Sequence, residues 1–309
     1  MARLVAVTGV TGFVGPHLIA ALARRGFKLR LLVRRWSPLP SLAGIDAEII
    51  LGDLEDPAAL ERLISGTDAV IHAAGLIKAR SPADFFRVNR DATARLAALA
   101  PQPLFILLSS LAAREPALSP YGASKRAAEE ALAGRIGPWL AVRAPAVYGP
   151  GDRETLAYFQ SIARGIAPQP WLSVRAQLSL IHAADLAAAL AACVERPLAS
   201  SVYEIDDGQV GGYGYADMAS AAATALGRVP FVLSIPRPLM LAAAAANSLR
   251  QSLDGSAQIL TFGKVREIFH PDWSVHDRRL AGSLDFHAHY DLRHGFADTI
   301  DWYRRHKWI

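Results

Sequence analysis

The sequence predicts an α/β protein: a doubly wound parallel sheet followed by a smaller C-terminal α/β lobe. Three observations carry that reading. Short apolar and β-branched runs alternate with longer helical patterns from the N-terminus to about residue 205. A glycine-rich turn, Thr8-Gly9-Val10-Thr11-Gly12-Phe13-Val14-Gly15, joins the first such run to the first helix. The 309 residues suit one large α/β unit, or such a unit plus a smaller lobe.

The first strand is Leu4 to Val7, and His17 to Arg25 reads as the first helix. Strand, glycine turn and helix make a dinucleotide-binding unit. Glycine permits the tight turn and close backbone approach, and the helix N-terminus offers N–H groups to a pyrophosphate. The spacing is G-x-x-G-x-x-G rather than G-x-G-x-x-G. Gly9, Thr11, Gly12, Phe13, Val14 and Gly15 are therefore candidate cofactor contacts. The second strand, Lys28 to Val33, ends in Arg34-Arg35 with no acid. In this arrangement an acid there favours a free ribose hydroxyl and arginine favours a 2′-phosphate, so the expected cofactor is NADP, with NAD possible.

Glu48 to Leu51 is the third strand; Asp53 and Leu54 follow it, the carboxylate placed to meet an adenine amino group. A helix spans Pro57 to Ile64. The fourth strand, Ala69 to His72, runs into Ala73-Ala74-Gly75, small residues against which a flat cofactor can lie. His72 reads as a half-buried, satisfied histidine. Lys78 and Arg80 lie in the next loop, and Asp84 to Ala100 reads as one helix. Asn89 within it either faces the sheet and needs a partner or faces solvent.

The apolar run Leu104 to Leu108 ends in Ser109-Ser110, and Ser119-Pro-Tyr121-Gly-Ala-Ser-Lys125 opens the next helix. Positions four apart share a helix face, so Tyr121 and Lys125 address one small volume. A nearby cation stabilises phenolate and lowers a tyrosine pKa from about 10, which makes a general acid/base. Ser110 is placed to hydrogen-bond the same substrate oxygen. Trp139 to Arg143 is the sixth strand, and the turn-forming run Ala144 to Arg153 marks the exit from the first domain. The domains expected are residues 1–150, completed by about 180–206, and a substrate lobe over 151–309.

In that lobe, Leu156 to Arg164 reads as a helix and Leu178 to Ile181 as a strand. The stretch His182-Ala-Ala-Asp185 is expected to cap a helix from Leu186 to Glu195, and Val202 to Ile205 to return to the main sheet. Tyr215 to Leu226 and Arg237 to Leu249 are helical patterns. The histidine- and tryptophan-rich C-terminal segment has no metal-ligand spacing and reads as packed aromatics.

Composition narrows the function. Net charge is +5 with scattered basic residues, which suits anionic small molecules; no nucleic-acid motif is present. The lone Cys193 rules out an internal disulfide framework and fits a reducing compartment. The start runs straight into a strand without signal-peptide architecture, and the apolar stretch Leu239 to Ala246 is too short to span a bilayer, which takes about 20 residues. A cytoplasmic protein without membrane insertion is expected.

TGVTGFVG, GDL (Gly52 to Leu54), HAAG (His72 to Gly75), Asn89, SPYGASK, VYGPGD (Val147 to Asp152) and LIHAADLAAAL (Leu180 to Leu190) occur in this order. Together they resemble the extended short-chain dehydrogenase/reductases, the branch that holds nucleotide-sugar epimerases and dehydratases, dihydroflavonol-type reductases and 3β-hydroxysteroid dehydrogenases. The resemblance runs nearly end to end. It implies a Rossmann-type sheet of about seven strands and often a homodimer through a four-helix interface. It also implies that Tyr121 is the acid/base, that Lys125 lowers its pKa and holds the nicotinamide ribose, and that Ser110 polarises the substrate oxygen. Ser109 takes that place if the strand end is registered one residue off. Pro145 and Val147 would sit by the nicotinamide. Lys78, Tyr148 and Arg153 are candidate substrate contacts.

The short loop between Ser110 and Tyr121 and the arginines after the second strand favour an NADP-linked reductase over an NAD-retaining epimerase. A dehydratase usually adds an acid just after the catalytic serine, where this chain has Leu111-Ala112-Ala113. The alternatives are a nucleotide-diphosphate-sugar epimerase and, from another class, a non-catalytic dinucleotide sensor or assembly factor.

Overall fold

A computed structural model describes residues 2–34, 42–196, 198–254, 258 and 260–309. The first half alternates strand and helix. β1 (Leu4–Thr8), α1 (Val14–Arg24), β2 (Lys28–Val33), β3 (Ala47–Leu51), α2 (Pro57–Ile64) and β4 (Ala69–His72) come first. After β4 come α3 (Pro82–Phe85), a π-helical turn (Phe86–Asp91), α4 (Ala92–Leu99) and β5 (Leu104–Ser110). A short 3₁₀ turn (Leu111–Arg114) leads to α5 (Pro120–Ala133) and β6 (Trp139–Ala144). The second half holds β7 (Ala146–Tyr148), α6 (Leu156–Ala163), β8 (Ile166–Pro170), β9 (Gln177–Leu178), β10 (Leu180–His182), α7 (Ala183–Glu195) and β11 (Ser201–Glu204). It closes with α8 (Tyr215–Leu226), β12 (Phe231–Ile235), α9 (Arg237–Asp254), α10 (Phe262–Ile268), β13 (Asp272–Trp273), α11 (Arg279–Leu284) and α12 (Leu292–Arg305).

Seven strands form one sheet in the order β11-β6-β5-β4-β1-β2-β3, every pair parallel. Strand order reverses between β1 and β4, which opens a crevice at their carboxyl ends. Side chains alternate between two buried faces, as a parallel sheet covered on both sides requires. Val5, Val7, Leu29, Leu31, Ile71 and Val142 join one core with α1 and α7. Ala6, Leu32, Val70, Phe105, Leu107 and Ala141 join the other with α2, α4 and α5. A third core gathers Tyr148, Phe159, Phe296, Ile300 and Tyr303 around α6, α8 and α12. Three two-stranded ribbons, β7–β10, β8–β12 and β9–β13, frame that region.

Several element boundaries differ from those read in the sequence. α1 begins at Val14, three residues before His17, so the turn feeds directly into the helix. The single helix expected over 84–100 starts at Pro82, behind a Ser81–Asp84 capping box, and is interrupted by the π turn around Asn89. The strand expected over 178–181 splits into β9 and β10 on either side of Ser179. α7 is capped by His182, whose Nδ1 accepts from Ala184 N; Asp185 sits inside the first turn and accepts instead from the His289 and Tyr290 backbone N–H groups.

Candidate active site

The crevice is built by close backbone approach. Gly9 has φ +80, and a Cβ there would lie 2.5 Å from Ala74 N and 2.6 Å from the Ala73 carbonyl carbon. Thr8 clamps the same junction: its Oγ1 accepts from Ala74 N at 3.3 Å and lies 2.7 Å from His72 Nδ1. Side chains cap the N-termini of α2, α5 and α7 through Asp56, Ser119 and His182, whereas α1 has no side-chain cap. Its N–H groups are therefore free of side-chain competition and fit a pyrophosphate, as a glycine turn feeding a helix should.

The π turn explains Asn89. The extra residue in the turn accompanies a side chain that is buried and fully used. Oδ1 accepts from Leu76 N at 2.8 Å, while Nδ2 lies 3.1 Å from the Leu76 carbonyl and 2.9 Å from Ser124 Oγ. Ser124 belongs to α5, one turn beyond Tyr121 and next to Lys125 in sequence. The asparagine thus ties the loop after Gly75 to the helix bearing Tyr121 and Lys125; of its two sequence readings, the solvent-facing one fails and the partnered one holds.

Ser110, Tyr121 and Lys125 come together at the ends of β5 and α5. Tyr121 and Ser110 share a side-chain hydrogen bond. Ser110 Oγ also accepts from Ala112 N at 3.2 Å, which fixes the turn after the strand. Lys125 is buried and donates to the Leu108 carbonyl at 2.6 Å.

The electrostatics correct one expectation. Desolvation pushes the Tyr121 hydroxyl up to about 12; the Ser110 hydrogen bond works against this and the nearby Glu267 carboxylate adds to it. Lys125 does not bring the phenol down here. Burial instead pulls the ammonium down to about 8, with Glu129 holding it up. The tyrosine is a protonated acid across the neutral range, matched to giving a proton to a developing alkoxide.

Other expected residues fall into three groups. Arg34 is exposed at the end of β2, Asp53 is exposed beyond β3, and Leu54 is half-buried beside it. Asp53 Oδ1 accepts from Glu55 N at 2.7 Å, which shapes that turn. Pro145 and half-buried Val147 follow β6 on the same edge of the sheet. Arg35 lies outside the described residues.

Three placements are corrected. Ser109 faces away from Ser110, because successive strand residues point to opposite faces; its Oγ donates to Glu129 Oε1 at 2.5 Å, and Arg143 completes that buried group at 2.7 Å from Glu129 Oε2. Tyr148 is fully buried in the third core and is no surface contact. A Cβ at Gly295 would lie 2.2 Å from its hydroxyl, so this α12 glycine makes room for it. Lys78 is exposed, 3.8 Å from Glu154, and the Arg153 guanidinium lies 5.0 Å over the Trp308 ring. His72 is fully buried rather than half-buried; its Nε2 has no partner among the described residues.

Sequence reasoning missed Glu267. On α10, it accepts from Ser119 Oγ, which in turn accepts from Gly122 N at 2.9 Å. A buried carboxylate from a distant helix thus braces the cap of α5. Its only sequence signal is the charge itself. Phe85 was missed too: its ring lies 6.0 Å from that of Tyr121.

Comparison with known proteins now adds to this geometry. The family model described as NAD dependent epimerase/dehydratase family matches residues 5–205. The chain belongs to that family. Its fold and motifs are those of an extended short-chain dehydrogenase/reductase, and it is an enzyme of the oxidoreductase or epimerase kind. A ceramide reductase of Caulobacter vibrioides (strain NA1000 / CB15N) is 42% identical over 308 residues, covering 99% of this chain and 96% of that protein. MoeE5 in complex with UDP-glucuronic acid and NAD has a TM-score of 0.74 at 23% identity, over 99% of this chain and 100% of that one. UDP-glucose 4-epimerase from Bifidobacterium longum, in complex with NAD+ and UDP, has a TM-score of 0.75 at 19% identity, over 99% of both chains. At those identities the two structures share the epimerase/dehydratase fold with this family member. Among the described residues, no helix is long and apolar enough to cross a membrane.

Proposed function

We propose that this enzyme is an NADPH-dependent ketoreductase acting on a ceramide-like lipid whose backbone hydroxyl is held as a ketone. The observation that carries the reading is the end-to-end similarity to a ceramide reductase. The site supports it chemically. Bound NADPH supplies the hydride that reaches the carbonyl carbon. The C=O bond becomes C–O–H, and Tyr121, protonated at neutral pH, gives its proton to the oxygen. Ser110 donates a second hydrogen bond to that oxygen, and Lys125, behind the tyrosine, holds a nicotinamide ribose hydroxyl. The Gly9–Gly15 turn with Val14 at the start of α1 takes the pyrophosphate. Ala73, Ala74, Gly75 and Asn89 form the platform, and Pro145 and Val147 flank the nicotinamide. Asp53 and Leu54 meet the adenine, and Arg34 with Arg35 prefers the 2′-phosphate. Residues 1–150 with 180–206 hold the cofactor, and the lobe over 151–309 holds the lipid. The reading includes a cytoplasmic homodimer.

The test is an absorbance assay with purified enzyme, NADPH or NADH, and a keto form of ceramide in mixed micelles. Net NADPH consumption with formation of the alcohol is expected, and Tyr121→Phe should lower kcat by about 10²–10⁴ while leaving NADPH binding intact. No turnover of the lipid, with interconversion of a UDP-sugar and no net cofactor use, would replace this reading with the epimerase one.

A further inference from the structure

We infer that the β8–β12 ribbon and the start of α9 form a docking face for the surface of an anionic phospholipid bilayer. β12 is a strand with little cover: Phe231 is 71% exposed, and Val232, Leu233 and Ser234 are exposed beside it, although its sequence is apolar. The parallel ladder sets Phe231 against Ile166, itself exposed, and continues to Trp171, whose N–H donates to the Ile235 carbonyl at 2.9 Å. Trp171 is 67% exposed. α9 carries the same character onward. Leu239 is 62% exposed, Ala242, Ala243, Ala245 and Ala246 are exposed, and Ala244 alone of the helix's described side chains is fully buried. So many exposed apolar side chains on neighbouring elements mark an interaction site.

Charge selects the occupant. From Arg228 to Leu253 the chain has arginines but no Asp or Glu. The exposed Arg228 and Arg164 stand at one end of the ribbon and the exposed Arg237 at the other. Apolar side chains between cations match the headgroup boundary of a bilayer, where rings and aliphatic groups enter the interface and arginines meet lipid phosphates. A second copy of this face would meet it with the same arginines and no carboxylate, because a two-fold contact pairs a patch with itself. The face is also joined to the site. Gln251 of α9 donates to the Arg80 carbonyl at 2.5 Å, in the loop after Gly75, and α9 packs on α10, which carries Glu267 beside the α5 cap. A bilayer seated here would lie alongside the catalytic region.

The experiment is co-sedimentation of the full-length enzyme with vesicles of phosphatidylcholine alone or mixed with phosphatidylglycerol, at low and high salt. No ceramide is included, so the result does not depend on the reductase reading. Binding is expected to the mixed vesicles, to weaken at high salt, and to fall about tenfold or more in Arg237→Glu and in Phe231→Ser/Leu239→Ser. Urea unfolding midpoints equal to the parent's confirm that these variants remain folded. Absence of binding to the mixed vesicles overturns the proposal, as does binding that both variants retain. A concentration-dependent dimer that these same substitutions dissolve also overturns it, in favour of an interface between copies.

Discussion

His72 gives the sharpest test of how the crevice is built. The ring is fully buried at the end of β4, with Nδ1 2.7 Å from Thr8 Oγ1. Burial, with the nearby Lys125 ammonium, pulls its pKa from 6.5 down to about 3. The unfolded chain takes up a proton below about 6.5 whereas the folded chain stays neutral until about 3. Stability therefore falls as pH drops through that window. Between pH about 7 and about 5 the proton uptake by the unfolded imidazole amounts to about 2 kcal/mol. His72→Asn removes the titration and sets an amide atom near the position of Nδ1. Urea unfolding followed by tryptophan fluorescence at the two pH values should show the parent losing about 2 kcal/mol more than the variant. His182 is also held neutral by burial, down to about 3, and contributes equally to both proteins, so the difference isolates His72. Equal losses in parent and variant would refute the reasoning.

Three further outcomes are expected. Lys125, pulled down to about 8, loses its charge as pH rises through that value, so NADPH affinity should weaken there; constant affinity up to pH about 10 in a fluorescence titration would remove its ribose-binding role. Ser110→Ala should lower kcat by about 10–100-fold, whereas Ser109→Ala should leave kcat within about twofold and cost about 1–3 kcal/mol of stability, because it strips a partner from the buried Glu129–Arg143 pair; a large kinetic loss in Ser109→Ala with little in Ser110→Ala would mean that the two serines have been assigned the wrong way round. Arg34→Asp should shift preference from NADPH toward NADH by a factor of about three or more, read as the ratio of the two dissociation constants.

How far the sequence reached depended on the range of the forces involved. Local pattern sufficed for most strands and helices of the first 150 residues, because a strand buried on both faces must be a short apolar run and its following helix must be amphipathic; β7 escaped it, lying in a run read as turn-forming. The glycine turn was legible because a positive φ at Gly9 and a backbone contact of 2.5 Å leave no room for another residue. Tyr121 and Lys125 were legible because helical spacing alone puts them on one face. The sequence also found both serines; strand alternation says that only one faces the site, but the tertiary structure decided which one. Folding also decided that Asn89 sits in a π turn, since its partners Leu76 and Ser124 are brought in by other elements. It buried Tyr148 against Gly295 of α12 and brought Glu267 under the α5 cap, each across more than 140 residues. Above all it set the sign of the Tyr121 shift. Residue spacing determines which charges are close, but desolvation depends on everything packed around a hydroxyl, and only the folded chain supplies that.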